Sequence, residues 1–331
     1  MSASVVLRRG GLEESRHRIH VAVVDGEGRL VARAGRPDRV TLMRSAAKPF
    51  QALPLVADGV WGHYELGSEE LALCCASHGG EPRHVDGVRR ILGRIGVPED
   101  ALACGPHLPL HEATAHRLLR TGGEPGRIHN NCSGKHAGML ALARYRGWPL
   151  EGYHRPEHPV QERMRGQVQR SAGLDPDAIR SAVDGCGVVA FALPLLAIAR
   201  AFGGLVGGAD RDEPAERAVV AAMTAHPFLV AGTDRLCTRL MEACGGSMVV
   251  KVGAEGVFGV GDRRSGVGIA IKVEDGSRAA AEVGVVAVLE RLGLLGTDVR
   301  EALAAWRPKV VRNTRGEDVA VLESKAELTL L

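Results

Sequence analysis

The chain has 331 residues, enough for a large buried core, and its 45 % hydrophobic and 24 % charged residues are ordinary for a globular protein. Aromatic residues make up only 3 % of the sequence, which argues against a surface that stacks nucleic-acid bases. The net charge is +3 and basic residues are interspersed with acidic ones, so we predict no nucleic-acid partner.

The apolar runs and the cysteines indicate the cellular compartment of the protein. No stretch approaches the roughly 20 apolar residues that a membrane span requires, and the first residues lack the apolar run of a signal peptide. The seven cysteines are an odd number and include the adjacent Cys74 and Cys75, so we expect no complete disulfide framework. We therefore predict no membrane partner and a cytoplasmic location with reduced thiols.

The first fifty residues predict β structure followed by a helix. Residues 20–24 and 29–33 are apolar runs that flank the turn-like run DGEG, a pattern typical of an antiparallel hairpin. Residues 45–57 then predict a helix, because Pro49 stands in its first turn, where proline is tolerated.

The middle of the chain is predicted to be helical. Apolar residues recur there at helical spacing, and glycines stand where some of the helices would end. The predicted helices cover residues 69–76, 83–95, 137–145, 159–172, 191–202 and 215–225.

Strand patterns return in the last third of the chain. The predicted strands cover residues 248–252, 257–260, 267–273, 309–312 and 319–322, with a helix at 277–292. The simplest assembly is an α/β (α+β) fold, in which both chain ends form one antiparallel sheet and the middle forms a helical lobe. We predict a single catalytic domain over 1–331. Its sheet-containing lobe covers approximately 1–50 and 245–331, and its helical lobe covers approximately 51–244.

Lysine is scarce, since only six of the 42 basic residues are Lys. Three of them lie in short polar or glycine-containing runs: Lys48 in RSAAKP, Lys135 in NNCSGKH and Lys251 in MVVKVG. A desolvated lysine amine can lose its proton and serve as a base, a nucleophile or a ligand, which arginine cannot. We therefore treat these three lysines as candidate functional residues.

Two serines are candidate nucleophiles. Ser45 and Lys48 are three residues apart at the start of a predicted helix, so a neutral Lys48 amine could take the Ser45 proton. The alternative is a serine that caps the helix beside a solvated lysine. Ser77 follows a predicted helix in a glycine-rich turn, where its hydroxyl would meet a substrate or simply belong to a polar helix end.

Cysteines give a third group of candidates. Cys132 precedes a predicted buried helix, where it or Ser133 could be a nucleophile. Cys132 could instead be a buried thiol, or a metal ligand together with Cys186 of the run DGCG. Cys104, His107 and His111 also have ligand chemistry, but the prolines among them favour a rigid loop on the substrate side.

Six runs occur in a fixed order along the chain. They are RSAAKP at 44–49, ASHGGE at 76–81, CGPH at 104–107, NCSGKHAG at 131–138, DGCG at 184–187 and KVGAEG at 251–256. Together they resemble the rhizobial-type L-asparaginases, a class unrelated to the bacterial enzymes with threonine nucleophiles. The resemblance extends from about residue 5 to the C-terminus.

The resemblance implies a serine β-lactamase/glutaminase-like fold and a homodimer. It implies two catalytic pairs, Ser45 with Lys48 and Ser77 with Lys251. The second pair could not be inferred from the residues alone, because Ser77 and Lys251 are far apart in sequence. A lysine on a strand facing a Ser-x-x-Lys helix is also the arrangement of penicillin-recognising enzymes, so the second pair is geometrically reasonable.

The resemblance further implies a cofactor and a binding pocket. Zn²⁺ would be held by Cys132, Lys135 and Cys186, with water as the remaining ligand. Arg44 and Asp184 are candidates to pair with the α-carboxylate and α-ammonium of the substrate. The predicted substrate-binding residues are Arg44, His78, Asn131, His136, Asp184 and Glu255.

These expectations define an L-asparaginase that hydrolyses L-asparagine to L-aspartate and ammonia through a Ser–Lys acyl-enzyme. One alternative is a serine β-lactamase or penicillin-binding hydrolase, which would carry Lys-Thr-Gly where this chain has Lys251-Val252-Gly253. Another is a non-catalytic, zinc-stabilised protein that binds an amino acid without converting it.

Overall fold

The computed structural model describes residues 3–331, apart from the side chain of Pro176. Its strands, in chain order, are β1 (Ser4–Arg9), β2 (Leu12–Val24), β3 (Leu30–Ala34), β4 (Val40–Leu42), β5 (Arg180–Val183), β6 (Val189–Pro194), β7 (Met248–Gly253), β8 (Val257–Asp262), β9 (Gly268–Val273), β10 (Lys309–Arg312), β11 (Asp318–Ser324) and β12 (Thr329–Leu330).

The helices lie mainly between β4 and β7. They are α1 (Lys48–Ala57), α2 (Val60–His63), α3 (Ser68–Cys74), α4 (Pro82–Ile95), α5 (Glu112–Arg120), α6 (Ser133–Tyr145), α7 (Pro159–Ala172), α8 (Leu195–Asp210), α9 (Pro214–Ala225), α10 (Pro227–Val230), α11 (Leu236–Ala243), α12 (Arg278–Arg291) and α13 (Thr297–Ala302). Short 3-10 helices cover Arg44–Ala47, Glu99–Ala101, Arg127–His129, Pro176–Ala178 and Ala304–Trp306. Among the described residues, no helix is long and apolar enough to cross a membrane.

The chain forms two compact units. The first contains Met1–Ala46, Leu193–Gly204 and Arg239–Leu331, and the second contains Ala47–Ala192 and Leu205–Thr238. The single-domain organisation of 1–331 stays a prediction.

An antiparallel sheet dominates the first unit. Its strand order is β10-β11-β1-β2-β9-β8-β7, and β3 pairs with both β2 and β12. The long strand β2 joins the two halves of this sheet, because its first part pairs with β1 and its last part pairs with β9 and β3. Both ends of the chain therefore contribute to one sheet, as predicted.

The strands present a large apolar face to α12. Ile19 and Val21 of β2 lie opposite Val273 and Ile271 of β9, and all four are fully buried. The helix packs at ordinary contact distance, since a Cβ at Gly284 would lie 3.6 Å from the Ile19 side chain. This helix is buried along most of its length, which its many Ala and Val residues allow.

Small residues on the sheet accommodate the first turns of α8. A Cβ on Gly268 would lie 2.1 Å from the Ala199 carbonyl oxygen, and a Cβ on Gly259 would overlap the Phe202 ring. Gly259 pairs with Lys251 on the neighbouring strand, so the Lys251 side chain lies on the same face of the sheet as this contact.

Helix α6 forms the centre of the second unit. Every residue from Ser133 to Ala143 is buried, and α6 contacts α1, α3, α4 and α7. The helix backbones approach unusually closely, because a Cβ on Gly134 would lie only 2.3 Å from the Leu73 carbonyl oxygen of α3. This close approach brings the N-terminus of α6 beside the C-terminus of α3.

Most predicted elements are confirmed, with two corrections. The helix predicted for 45–57 is instead a 3-10 helix at Arg44–Ala47 followed by α1, so Ser45 does not lie in an α-helix. The helix predicted for 191–202 begins later, at Leu195, because residues 189–192 form a strand that pairs with β5. The pattern of apolar residues at 191–194 fits either a helix or a strand, and pairing with β5 decides between them.

Candidate active site

Lys48, the first residue of α1, lies in a buried polar cluster of the second unit. Its side chain is 1 % exposed. The Lys48 Nζ donates hydrogen bonds to Ser77 Oγ at 3.0 Å, to Cys132 Sγ at 3.2 Å and to the Ala76 carbonyl oxygen. The contact with Ser77 Oγ is a direct route by which a proton can pass between the serine hydroxyl and the lysine amine.

Backbone contacts on two sides hold Ser77 in place. The Ser77 N–H donates to the Val230 carbonyl at 2.9 Å, and the next N–H, that of His78, donates to the Asn131 carbonyl at 3.2 Å. Gly80 has φ of 72°, and a Cβ there would lie 3.0 Å from the backbone of Pro109. Only a glycine fits this turn without displacing the neighbouring loop.

The loop before α6 places Cys132 next to Lys48. Asn130 Oδ1 accepts a hydrogen bond from the Cys132 N–H at 2.9 Å, and His107 Nε2 accepts one from the Asn131 N–H at 2.9 Å. His107 therefore carries its proton on Nδ1, from which it donates to the Leu108 carbonyl oxygen at 2.6 Å. The run CGPH thus supports the Cys132 loop by hydrogen bonding.

The ionisation of the cluster is set by its own charges. Cys186 donates a hydrogen bond to Cys132, and with the positive charges of Lys48 and Lys135 this holds the pKa of Cys132 well below its ordinary value despite burial. The same hydrogen bond and burial raise the pKa of Cys186. Burial favours a neutral Lys135, but the charges of Cys186 and Cys132 outweigh it and raise the Lys135 pKa.

The donor set formed by Cys132, Lys135 and Cys186 fits zinc. Lys135 Nζ lies 3.0 Å from Cys186 Sγ, Cys186 also hydrogen-bonds to Cys132, and neither cysteine is in a disulfide, so the donors converge on one place. Thiolates are favoured zinc ligands, and three protein donors leave a position for water. Within the described part of the chain, no group of three or more His, Cys, Asp or Glu could hold a metal ion. A site here therefore depends on the Lys135 amine, which must give up its proton to bind.

His78 has a fully satisfied imidazole. The Gly80 N–H donates to His78 Nδ1 at 3.2 Å, so the proton on Nε2 is donated to Ser133 Oγ at 2.9 Å. Burial lowers the pKa of His78 well below its ordinary value, and the neighbouring His84 and Lys48 add to this effect. The hydrogen bonds of this ring join the Ser77 loop to α6, and its predicted role in substrate binding stays a prediction.

The remaining predicted binding residues of the second unit flank the cluster. His136 is buried on α6 directly after Lys135, and its Nδ1 lies 2.6 Å from the Tyr153 hydroxyl oxygen. Asn131 precedes Cys132 and its Oδ1 lies 3.4 Å from His107 Nε2. Asp184 is half-buried in the turn that carries Cys186, close enough for its charge to affect Lys135.

Four predicted site residues belong to the first unit. Arg44 has φ of 51°, a left-handed conformation that is uncommon for a residue with a side chain, and Ser45 follows it half-buried in the 3-10 turn. Lys251 is buried on β7, and its Nζ donates to the Val252 carbonyl oxygen at 2.9 Å. Glu255 is exposed in the turn between β7 and β8, also with a left-handed φ of 59°.

The structure brings together Lys48, Ser77, Cys132, Lys135 and Cys186 within one unit. The hydrogen bond between Lys48 and Ser77 differs from both Ser–Lys pairs implied by the sequence resemblance. It adds a third combination, and the two implied pairs stay predictions.

Sequence reasoning missed a carboxylate that fastens the Ser77 loop. Glu81 accepts hydrogen bonds from the Thr233 N–H at 2.9 Å and the Thr233 hydroxyl at 2.6 Å. Gly232 makes this possible, because a Cβ there would lie 2.5 Å from Glu81 Oε1. The sequence signal available for this contact was the pair Gly232-Thr233, but nothing in the sequence links residue 233 to residue 81.

Comparison with known proteins gives a family but no close relative. A family model described as L-asparaginase II matches residues 5–324. No curated protein matches the chain.

Three of the solved structures that match are distant from this chain. Two described as crystal structures of Mglu are 14 % and 16 % identical with TM-scores of 0.39 and 0.37, and the matches cover 85 % and 84 % of this chain and 63 % and 67 % of those chains. A third, described as Mglu in its glutamate form, is 14 % identical with a TM-score of 0.37, covering 84 % of this chain and 61 % of that one. This chain thus spans less than two thirds of the length of two of these Mglu chains, and likenesses of this size carry no argument about function.

Proposed function

Because the chain belongs to the L-asparaginase II family, we propose that it is an L-asparaginase, which hydrolyses L-asparagine to L-aspartate and ammonia. Family membership supports an amidohydrolase, and the contact between Lys48 and Ser77 supports a serine-based mechanism. This contact, at 3.0 Å inside a buried cluster, is the observation on which the proposal depends most.

The proposed reaction is acyl transfer. A serine Oγ attacks the side-chain amide carbon of asparagine, and the hydroxyl proton passes to a lysine amine. The C–N bond of the tetrahedral intermediate then breaks, the lysine returns the proton to the departing nitrogen, and ammonia leaves an acyl-enzyme ester. Water attacks the ester carbon, which releases aspartate and restores the serine hydroxyl.

The roles of the two serines are proposed as follows. We propose that Ser45 attacks with Lys48 as its base, while Ser77 and Lys251 relay protons during deacylation; the sequence resemblance implies the two pairs without deciding which serine attacks first. The hydrogen bond from Lys48 to Ser77 supports direct proton exchange between these two side chains. Lys48 would then serve as the base that both steps share.

Substrate recognition is proposed to use opposite charges. Arg44 would pair with the α-carboxylate and Asp184 with the α-ammonium of asparagine. The left-handed backbone of Arg44 supports a functional role, because strained residues persist where the surrounding structure requires their position. His78, Asn131, His136 and Glu255 complete the proposed binding set.

A zinc ion is proposed at Cys132, Lys135 and Cys186. When bound, it would supply positive charge that orients the substrate or shapes the pocket. It is not proposed to generate the nucleophile, because the Ser–Lys pairs would already provide one. A serine β-lactamase/glutaminase-like fold, a homodimer and a cytoplasmic location complete the proposal.

The test uses the purified protein and measures ammonia release from asparagine and from glutamine, and the colour change of a chromogenic β-lactam. We expect asparagine to be hydrolysed, and Ser45→Ala or Ser77→Ala to lower kcat by about 10³-fold or more. Ser181→Ala is the matched control, because Ser181 is exposed on β5 and should leave turnover unchanged.

Each alternative has its own result in this assay. Hydrolysis of the β-lactam without asparagine turnover would identify a β-lactamase-like enzyme. Asparagine binding without ammonia release would identify a binding protein. Near wild-type turnover in the Ser77→Ala variant would remove the assignment of Ser77.

A further inference from the structure

One polar atom beside the Lys48 cluster has no partner. His136 is 0 % exposed, and its Nε2 is among the few buried side-chain nitrogen and oxygen atoms without a hydrogen bond in the described residues. Buried polar groups nearly always have a partner, and one that lacks it requires an explanation such as a ligand. Ring stacking does not supply one, since the Tyr153 ring contacts His136 edge-on, at 5.6 Å between ring centres.

The other ring nitrogen defines where the proton of His136 lies. The Ala103 N–H donates to the Tyr153 hydroxyl oxygen at 2.8 Å, so that oxygen is already an acceptor. The hydroxyl proton of Tyr153 has one remaining acceptor among the described residues, His136 Nδ1 at 2.6 Å. His136 Nδ1 therefore accepts, and a neutral ring then carries its hydrogen on Nε2.

Tyr153 is held in place, so its hydroxyl stays directed at His136 Nδ1. Tyr153 is 1 % exposed, and its carbonyl oxygen accepts a hydrogen bond from Gln161 Nε2 at 2.9 Å. Gln161 is itself fully buried on α7. The phenol is thus fixed by its backbone at one end and by the Ala103 N–H at the other.

The His136 ring lies close to the proposed catalytic cluster. It directly follows the proposed zinc ligand Lys135 on α6, and both side chains are buried. The unpaired Nε2–H is therefore a hydrogen-bond donor beside groups proposed to meet substrate and metal.

We propose that Tyr153 is a positioning residue that fixes His136 in the Nε2–H form, so that Nε2–H donates to an oxygen atom of a bound ligand. The oxygen would belong either to the amino-acid substrate or to the water of the zinc site, which share the same acceptor chemistry. The identity of the ligand rests on the proposed function, whereas the position of the hydrogen does not.

Nitrogen NMR of protein labelled with ¹⁵N-histidine tests the first step without any turnover. In the wild type we expect His136 to show a protonated Nε2 and an unprotonated Nδ1, with the signal identified by its loss in His136→Gln. Tyr153→Phe should lose this preference. Tyr145→Phe is the matched control, because Tyr145 is exposed at the C-terminal end of α6, the helix that carries His136. A wild-type ring protonated on Nδ1, or an unchanged ring in Tyr153→Phe, would overturn the proposal.

Two titrations distinguish the sources of the oxygen. L-Aspartate added to the metal-free protein should shift the Nε2–H signal if the acceptor belongs to the amino acid. Zinc added alone should shift it if the acceptor is metal-bound water. A signal that neither addition changes would overturn the role as a ligand donor, even if asparagine hydrolysis is established.

A double-mutant cycle separates positioning from a general effect on folding. We expect Tyr153→Phe to lower kcat/KM for asparagine about 10- to 100-fold, the effect of a hydrogen bond to a charged group. His136→Gln keeps an N–H donor near Nε2 but has no tautomers, so adding Tyr153→Phe to it should lower kcat/KM less than about twofold further. Additive losses would show that Tyr153 acts only on the structure, and would overturn the proposal.

Discussion

The contact between α3 and α6 predicts the effect of replacing Gly134 by alanine. The added Cβ would lie 2.3 Å from the Leu73 carbonyl oxygen and 2.8 Å from its carbonyl carbon. Both are backbone atoms, so the two helices must separate by about 1 Å to restore ordinary contacts. Overpacking of this kind costs about 1–3 kcal/mol of unfolding free energy, and the better helix propensity of alanine recovers at most about 1 kcal/mol.

The same displacement should affect catalysis. Helix α6 carries Lys135 and begins directly after Cys132, whereas Ser77 follows α3. A misplacement of about 1 Å between groups that act on one substrate can lower the rate about 10²-fold. We therefore expect Gly134→Ala to lose both stability and most of its kcat/KM for asparagine.

Urea unfolding and ammonia-release kinetics measure the two effects. Gly166→Ala is the matched control, because its Cβ would meet only a flexible arginine side chain at 3.7 Å in the middle of α7. That variant should gain up to about 1 kcal/mol and keep its activity. If Gly134→Ala were as stable and as active as the control, the tight contact between α3 and α6 would not control the site.

Three further predictions follow from the cluster and its surroundings. Lys48→Arg should lose nearly all turnover at every pH, because arginine cannot give up its proton. The control Lys325→Arg, on the surface, should keep its turnover. Substantial activity in Lys48→Arg would exclude a role of Lys48 as a base. Metal analysis should find about one zinc per chain in the wild type and none in Cys186→Ser. A wild type without zinc, or an unchanged zinc content in the variant, would exclude the proposed zinc site. Burial holds the pKa values of His78 and His84 below their ordinary 6.5, so the unfolded chain binds more protons below that pH. The unfolding free energy should be complete above about pH 6.5 and fall by up to about 1.4 kcal/mol per pH unit and histidine below it, and equal values from urea unfolding at pH 7.0 and 5.5 would contradict this.

Local sequence determined most helices and strands of this protein. The apolar periodicity over 83–95, with a glycine after it, predicts α4 almost to the residue, since both signals act within one helix. The prediction fails at 191–194, where an apolar run suits a helix or a strand and pairing with a distant strand decides between them.

The motif runs determined which residues are candidates, but not how they combine. Lys48, Ser77 and Cys132 stand out in sequence because lysine is rare and because each lies in a polar or glycine-containing run. Their contacts depend on α1, α3 and α6 packing together, and in particular on Gly134 and Gly80 allowing backbones to meet. Such contacts join residues far apart in the chain, and no local pattern encodes them.

Tertiary structure alone decided the supporting residues. Tyr153 hydrogen-bonds to His136, and Glu81 accepts two hydrogen bonds from Thr233; these partners lie 17 and 152 residues away in sequence. A tyrosine or a glutamate in a loop carries no periodic signal of its own, so its role becomes visible only when the fold supplies its partner. The sequence therefore determined the chemistry available to this protein, and the packing of its helices determined which of those groups meet.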